Sequence, residues 1–139
     1  MVPITQKVKG VVDEEVPNED ARRALVVDDD AAIRILVSRV LSRRGFLVDA
    51  AADGAEAIED LLEHDYDLIT LDLMMPRIDG YGVVKYLQEH RPELFNRLIV
   101  MTAFGPHALE KICPPVVRMI HKPFEIDELV REAEEAIAS

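Results

Sequence analysis

Tryptophan is absent from this chain of 139 residues, and cysteine occurs once, at Cys113, which excludes an intrachain disulfide and fits a reducing compartment. That thiol reads as a small apolar side chain rather than a nucleophile. Long apolar runs are missing as well. None approaches the ~20 residues that a membrane-spanning helix needs, and no signal-peptide core opens the sequence, so a cytoplasmic location is expected. Positive charge is scarce: 16 Lys and Arg against 27 Asp and Glu leave a net charge of −11. Such a surface repels nucleic acid phosphates and anionic membranes rather than binding them. Neither a GxGxxG nor a GxxxxGK[ST] loop occurs, which argues against dinucleotide and nucleoside triphosphate binding. His64, His90, His107 and His121 have no metal-ligand spacing with one another or with the cysteine. Tyr81, Tyr86 and Phe95 come without a basic patch and read as packing or surface residues rather than base-stacking platforms.

What is present is a regular alternation. Residues 1–20 hold Pro3, Pro17 and an acidic cluster without any sustained period, and they read as a flexible extension ahead of a single domain over 21–139. The apolar run at 24–27 reads as a strand. Ile33, Leu36, Val37, Val40 and Leu41 then recur at helical spacing, with Gly45 as the stop. A second strand follows at 46–51. Asp53 and Glu56 form a capping-box pattern ahead of a helix carrying Ile58, Leu61 and Leu62. A third strand at 67–72 leads to a helix with Val83, Val84 and Leu87. A fourth strand at 98–101 precedes a weaker helix at 106–112. A fifth strand at 116–120 precedes a last helix with Ile126, Leu129, Val130, Ala133 and Ile137 facing inward. Five strand–helix units of this length imply an α/β fold, a doubly wound parallel sheet with helices on both faces.

Ligands of such sheets bind outside the carboxyl ends of the strands, at the topological switch point. Asp28 and Asp29 follow the first strand, Asp72 closes the third, Thr102 follows the fourth and Lys122 the fifth. In the flavodoxin-like order 2-1-3-4-5 the first and third strands are neighbours, so Asp28, Asp29 and Asp72 converge. Asp30 is explained by helix capping alone. Three close carboxylates repel one another, and a divalent cation relieves that repulsion. Oxygen-only ligands suit Mg2+ better than zinc. Lysine and threonine supply a point charge and a hydroxyl donor for a phosphoryl oxygen, and carboxylates are established nucleophiles toward phosphorus.

The segments VVDDD at 26–30, LDLMMPRIDG at 71–80, MTA at 101–103 and HKPF at 121–124 together resemble the receiver domain of bacterial two-component response regulators. The resemblance runs from about Ala24 to Ile137 and implies a role for each matching position. Asp72 corresponds to the phosphoacceptor, Asp29 to the main acidic Mg2+ ligand, and Asp28 to an assisting ligand acting through metal-bound water. Met74 stands where a backbone carbonyl completes the coordination. Thr102 corresponds to the switch hydroxyl, and Lys122 to the lysine that pairs with the acids and then with the phosphate. A cis Lys122–Pro123 bond, a tight entry at Gly80 and an open site beside the small Ala103 are further implications.

The implied partners are a histidine kinase or histidine phosphotransfer protein as donor, and a downstream protein reading the face of the fourth helix, fifth strand and fifth helix. A homodimer through that face is compatible with the pattern. The chain would not be an enzyme beyond its own phosphoryl transfer and slow autodephosphorylation. Two departures stand out. Met119 occupies the place of the usual aromatic three residues before the lysine, and the segment between Thr102 and Lys122 is short and holds Pro106, Pro114 and Pro115. They motivate an alternative, an interaction module that signals independently of phosphorylation. A phosphohydrolase using an aspartyl intermediate is disfavoured, because Met74 stands where such enzymes carry a second carboxylate.

Overall fold

The computed structural model describes residues 21–73, 80–103 and 118–138. Its strands are β1 (Arg23–Val27), β2 (Leu47–Ala51), β3 (Leu68–Asp72), β4 (Leu98–Thr102) and β5 (Arg118–His121). They pair in parallel in the order β2-β1-β3-β4-β5, as expected. The register runs Val27 to Ala51, Val27 to Leu71, Asp72 to Met101 and Thr102 to His121, so the carboxyl ends of β1, β3, β4 and β5 share one edge.

Strand residues alternate between the faces. Leu25, Val27, Ile69, Leu71 and Val100 pack with helices α2 (Gly54–Glu63) and α3 (Gly80–His90). Ala24, Val26, Leu68, Ile99 and Met101 pack with α1 (Ala31–Arg43) and α4 (Ile126–Ala138). Burial on both faces is why β3 and β4 are closed to solvent along their whole length. The helix ends follow their sequence signals. Asp30 Oδ1 accepts from Ala32 N–H at 2.9 Å and Ile33 N–H at 3.3 Å. Asp53 Oδ1 accepts from Glu56 N–H at 2.9 Å, and Glu56 Oε1 reaches back to Ala52 N–H, also at 2.9 Å. Gly45 ends α1 at φ 94°, a conformation glycine adopts without a Cβ penalty.

Three apolar side chains expected inward point out: Leu36, Leu62 and Ile126 are 40%, 70% and 49% exposed. At 100° per residue Leu36 and Leu62 lie one position off the buried stripe, where Ser38 and Asp60 are buried instead, whereas Ile126 lies on its stripe but is the first residue of α4. A 3-10 helix at Pro92–Arg97, which no apolar period announces, delivers Leu94 and Phe95 to the core. The expected helix at 106–112 and the extension at 1–20 lie outside the described residues. No helix among the described residues is long and apolar enough to cross a membrane.

The opposite edge of the sheet carries a buried polar knot. Asp49 sits in β2 with Oδ2 accepting from the Tyr66 hydroxyl at 2.7 Å and from Arg23 Nη1 at 3.3 Å. The Arg23 N–H donates to Asp67 Oδ2 at 2.9 Å, and Arg97 Nη1 donates to the Tyr66 carbonyl at 2.8 Å. Burial, then the hydrogen bond to Asp49 and its charge, push the Tyr66 phenol far above its ordinary range. An unfolded tyrosine ionises near pH ~10 while Tyr66 in the fold keeps its proton, so above that pH the folded state binds more protons and stability falls. Tyr66→Phe should therefore lower stability at pH 7 by about 1–3 kcal/mol, leaving Asp49 short of a partner. The gap between variant and wild type should narrow above pH ~10, as read from urea unfolding midpoints by circular dichroism.

Candidate functional site

Parallel pairing of β1 with β3 carries the chain past Val27 and Leu71 in step, and so sets Asp28 beside Asp72. Carboxylate oxygens of Asp28, Asp29 and Asp72 lie within 4.8 Å of one another. Asp28 and Asp72 are buried, and Asp29 is exposed. At an effective dielectric of 20, two unit charges ~4 Å apart repel by about 4 kcal/mol, so this grouping needs compensation.

Lys122 supplies part of it. Its Nζ lies 2.8 Å from Asp28 Oδ2 and 3.6 Å from Asp72 Oδ2, bridging the ends of β1 and β3 from a position just past β5. Burial depresses the Lys122 ammonium, but the hydrogen bond and charge of Asp28, with the charge of Asp72, more than offset it and hold the group above the ordinary lysine value. Lys122 is therefore a fixed cation at physiological pH. Its backbone N–H donates to the Thr102 carbonyl at 2.9 Å, tying β5 to the end of β4. Thr102 is fully buried as the last residue of β4, and Ala103 beyond it is exposed. The Lys122–Pro123 peptide is cis.

Asp28 is held at every polar atom. Its N–H donates to the Ala51 carbonyl at 3.1 Å, and Oδ1 accepts from Asp30 N–H at 2.9 Å. Oδ2 pairs with Lys122, and the backbone carbonyl accepts from Arg34 Nη1 at 2.8 Å. Arg34 escapes sequence reasoning because it belongs to no motif; only its place one turn into the helix after the acids hints at a role. The structure thus brings Asp28, Asp29, Asp72 and Lys122 together and sets Thr102 at the adjoining strand end. Met74 lies outside the described residues. The donor set is oxygen-only and strongly anionic, which fits a hard divalent cation and not a thiophilic one.

The sequence matches the family described as "Response regulator receiver domain" over residues 24–134. The chain belongs to that family. It is 34% identical over 113 residues to the chemotaxis protein CheY of Bacillus subtilis, spanning 79% of this chain and 92% of that one. It is 44% identical over 86 residues to the transcriptional regulatory protein ResD of the same organism, spanning 62% of this chain and only 35% of ResD. Among solved structures, the response regulator TrrA of Thermotoga maritima, in complex with Mg(2+)-BeF, superposes with a TM-score of 0.73 at 29% identity. That likeness covers 83% of this chain and 98% of TrrA. The protein is thus a phosphoreceiver of two-component signal transduction.

Gly80 sets the approach of α3 to the site. Its N–H donates to the Leu73 carbonyl at 2.8 Å, and a Cβ added there would collide with the Asp72 carbonyl and the Leu73 Cα, and sit 2.8 Å from the Leu73 carbonyl carbon. These are backbone atoms of the receiver's acid-bearing strand, so the strand end or the helix must give way. Gly80→Ala should cost about 1–3 kcal/mol in unfolding free energy, measured by urea denaturation. Gly45→Ala meets nothing within 4 Å, so any loss there comes from its positive φ alone.

Proposed function

We propose that Asp72 is the phosphoacceptor of this receiver, and the observation that carries the reading is the bridging of Asp28 and Asp72 by Lys122 beside the exposed Asp29. An Asp72 carboxylate oxygen attacks the phosphorus of a phosphohistidine on a histidine kinase or histidine phosphotransfer protein. The new O–P bond forms as the P–N bond breaks, and the departing imidazole keeps the electron pair and takes a proton from solvent. Asp28, Asp29, Asp72 and the backbone carbonyl of Met74 would hold Mg2+. When bound, that ion supplies positive charge opposite the phosphoryl oxygens.

Lys122 stands 3.6 Å from the acceptor oxygen, close enough to shift its pairing from Asp28 to the incoming phosphoryl group. Thr102 donates its hydroxyl to a phosphoryl oxygen and so couples the event to β4 and β5. Met119 lies in β5, paired in register with Val100, and is part-buried. It fills the place of the family's aromatic with a flexible thioether, so the repacking that follows Thr102 involves no ring. The product state is read by a protein partner, in the cytoplasm, at the face that includes β5 and α4. Beyond its own phosphorylation and slow autodephosphorylation the protein turns over no substrate.

Incubation with phosphoramidate and Mg2+ should add one phosphoryl mass to the intact protein. Asp72→Asn or chelation with EDTA should abolish the addition, and mass spectrometry reads both. An increment that persists in Asp72→Asn moves the acceptor elsewhere. Metal binding to the folded state alone should also stabilise it: at a hundredfold excess over Kd, Mg2+ should add about 2.7 kcal/mol, and Asp29→Asn should remove most of that gain.

A further inference from the structure

α1 starts on the anionic Asp30 cap, yet sets a cation one turn in. Its first turn carries no acidic residue, and Arg34 places a cation near the positive end of the helix dipole, where a cation is unfavourable. Departures of this kind are expected where a site needs the residue. The Arg34 side chain folds back, part-buried, and Nη1 donates to the Asp28 carbonyl at 2.8 Å. That carbonyl belongs to the peptide joining Asp28 to Asp29. Asp28 is fixed independently by Ala51, Asp30 and Lys122, whereas Asp29 is exposed. The shared peptide leads directly into Asp29, whose carboxylate lies within 4.8 Å of those of Asp28 and Asp72.

We propose that Arg34 is a positioning residue for the metal site: its bond to the Asp28 carbonyl fixes the Asp28–Asp29 peptide and so holds Asp29 in the acid cluster for a divalent cation. The inference rests on the metal-site reading above. Two effects of Arg34 oppose each other there. Its charge repels a cation, while its hydrogen bond orders a ligand. The guanidinium is part-exposed and its charge is screened by solvent and salt, so the ordering effect dominates.

The opposite signs make the test decisive. Mg2+ binding to the full chain is measured by isothermal titration calorimetry for wild type, Arg34→Met, Arg34→Lys and Asp29→Asn, with metal-free melting temperatures alongside. Arg34→Met should bind Mg2+ roughly tenfold more weakly, at the lower end for loss of a group that orients a metal ligand. Its metal-free melting temperature should stay near that of wild type. Arg34→Lys, which keeps a donor and the charge, should recover most of the affinity. Equal or tighter Mg2+ binding in Arg34→Met overturns the proposal, as does weakening that Arg34→Lys fails to recover or that merely follows a lowered melting temperature. A wild type that binds no Mg2+ fails the metal-site reading itself and the proposal with it. A wild type that binds Mg2+ while Arg34→Met is unaffected fails the proposal alone.

Discussion

Repulsion among three carboxylates is the constraint that the rest of this molecule accommodates. Asp28, Asp29 and Asp72 come from two strands that are neighbours only because the sheet crosses over between β1 and β3, and two of the three are buried. Such a cluster is unfavourable in a bare protein. It persists because Lys122, ninety-four residues from Asp28 in sequence, is delivered to the same edge by β5 and pairs with both buried acids. The compensation is partial by construction. Lys122 offsets only part of the negative charge of the three acids, and an oxygen-only anionic set of this kind suits a hard divalent cation.

The two edges of the sheet are built for different ends. At the edge away from the site, polar groups are satisfied among themselves: Asp49 with Tyr66 and Arg23, Asp67 with the Arg23 backbone, and Arg97 with the Tyr66 carbonyl. That network ties the starts of β1, β3 and β4 to one another and to β2. At the site edge Lys122 pairs with Asp28 and Asp72, its backbone N–H holds the end of β4, and Asp29 is exposed. Satisfied polar pairs at one end and clustered acids at the other follow from one register, because in a parallel sheet all strand starts lie on one side and all strand ends on the other.

Much of this was legible in the sequence, for identifiable reasons. A strand buried on both faces writes itself as a continuous apolar run, so β1, β3 and β4 were found to within a residue or two. Asp28, Asp29, Asp72, Thr102 and Lys122 stand out in the sequence because they close or follow such runs, and the fold gathers them at one edge. Where legibility failed, a tertiary contact decided against the local pattern. Asp49 sits within a strand where no residue pattern marks its burial, and the hydroxyl of Tyr66 and the guanidinium of Arg23 make that burial tolerable. Leu62 fits the helical stripe by composition but lies one residue past it. Arg34 was invisible because its partner is a backbone carbonyl, which no residue pattern reports. Met74, assigned a coordinating carbonyl from resemblance, lies outside the described residues.

The central claim is that the phosphoryl group is carried by the carboxylate of Asp72, as an acyl phosphate, and by no other side chain. Borohydride reduces an aspartyl phosphate to homoserine while leaving free carboxylates and phosphate esters intact. Protein treated with a histidine phosphotransfer donor or phosphoramidate in Mg2+, then with borohydride, should yield on peptide mapping a homoserine at position 72, with unmodified aspartate at 28 and 29. Homoserine at 28 or 29, or a phosphate that survives reduction on a hydroxyl or imidazole, would contradict the account.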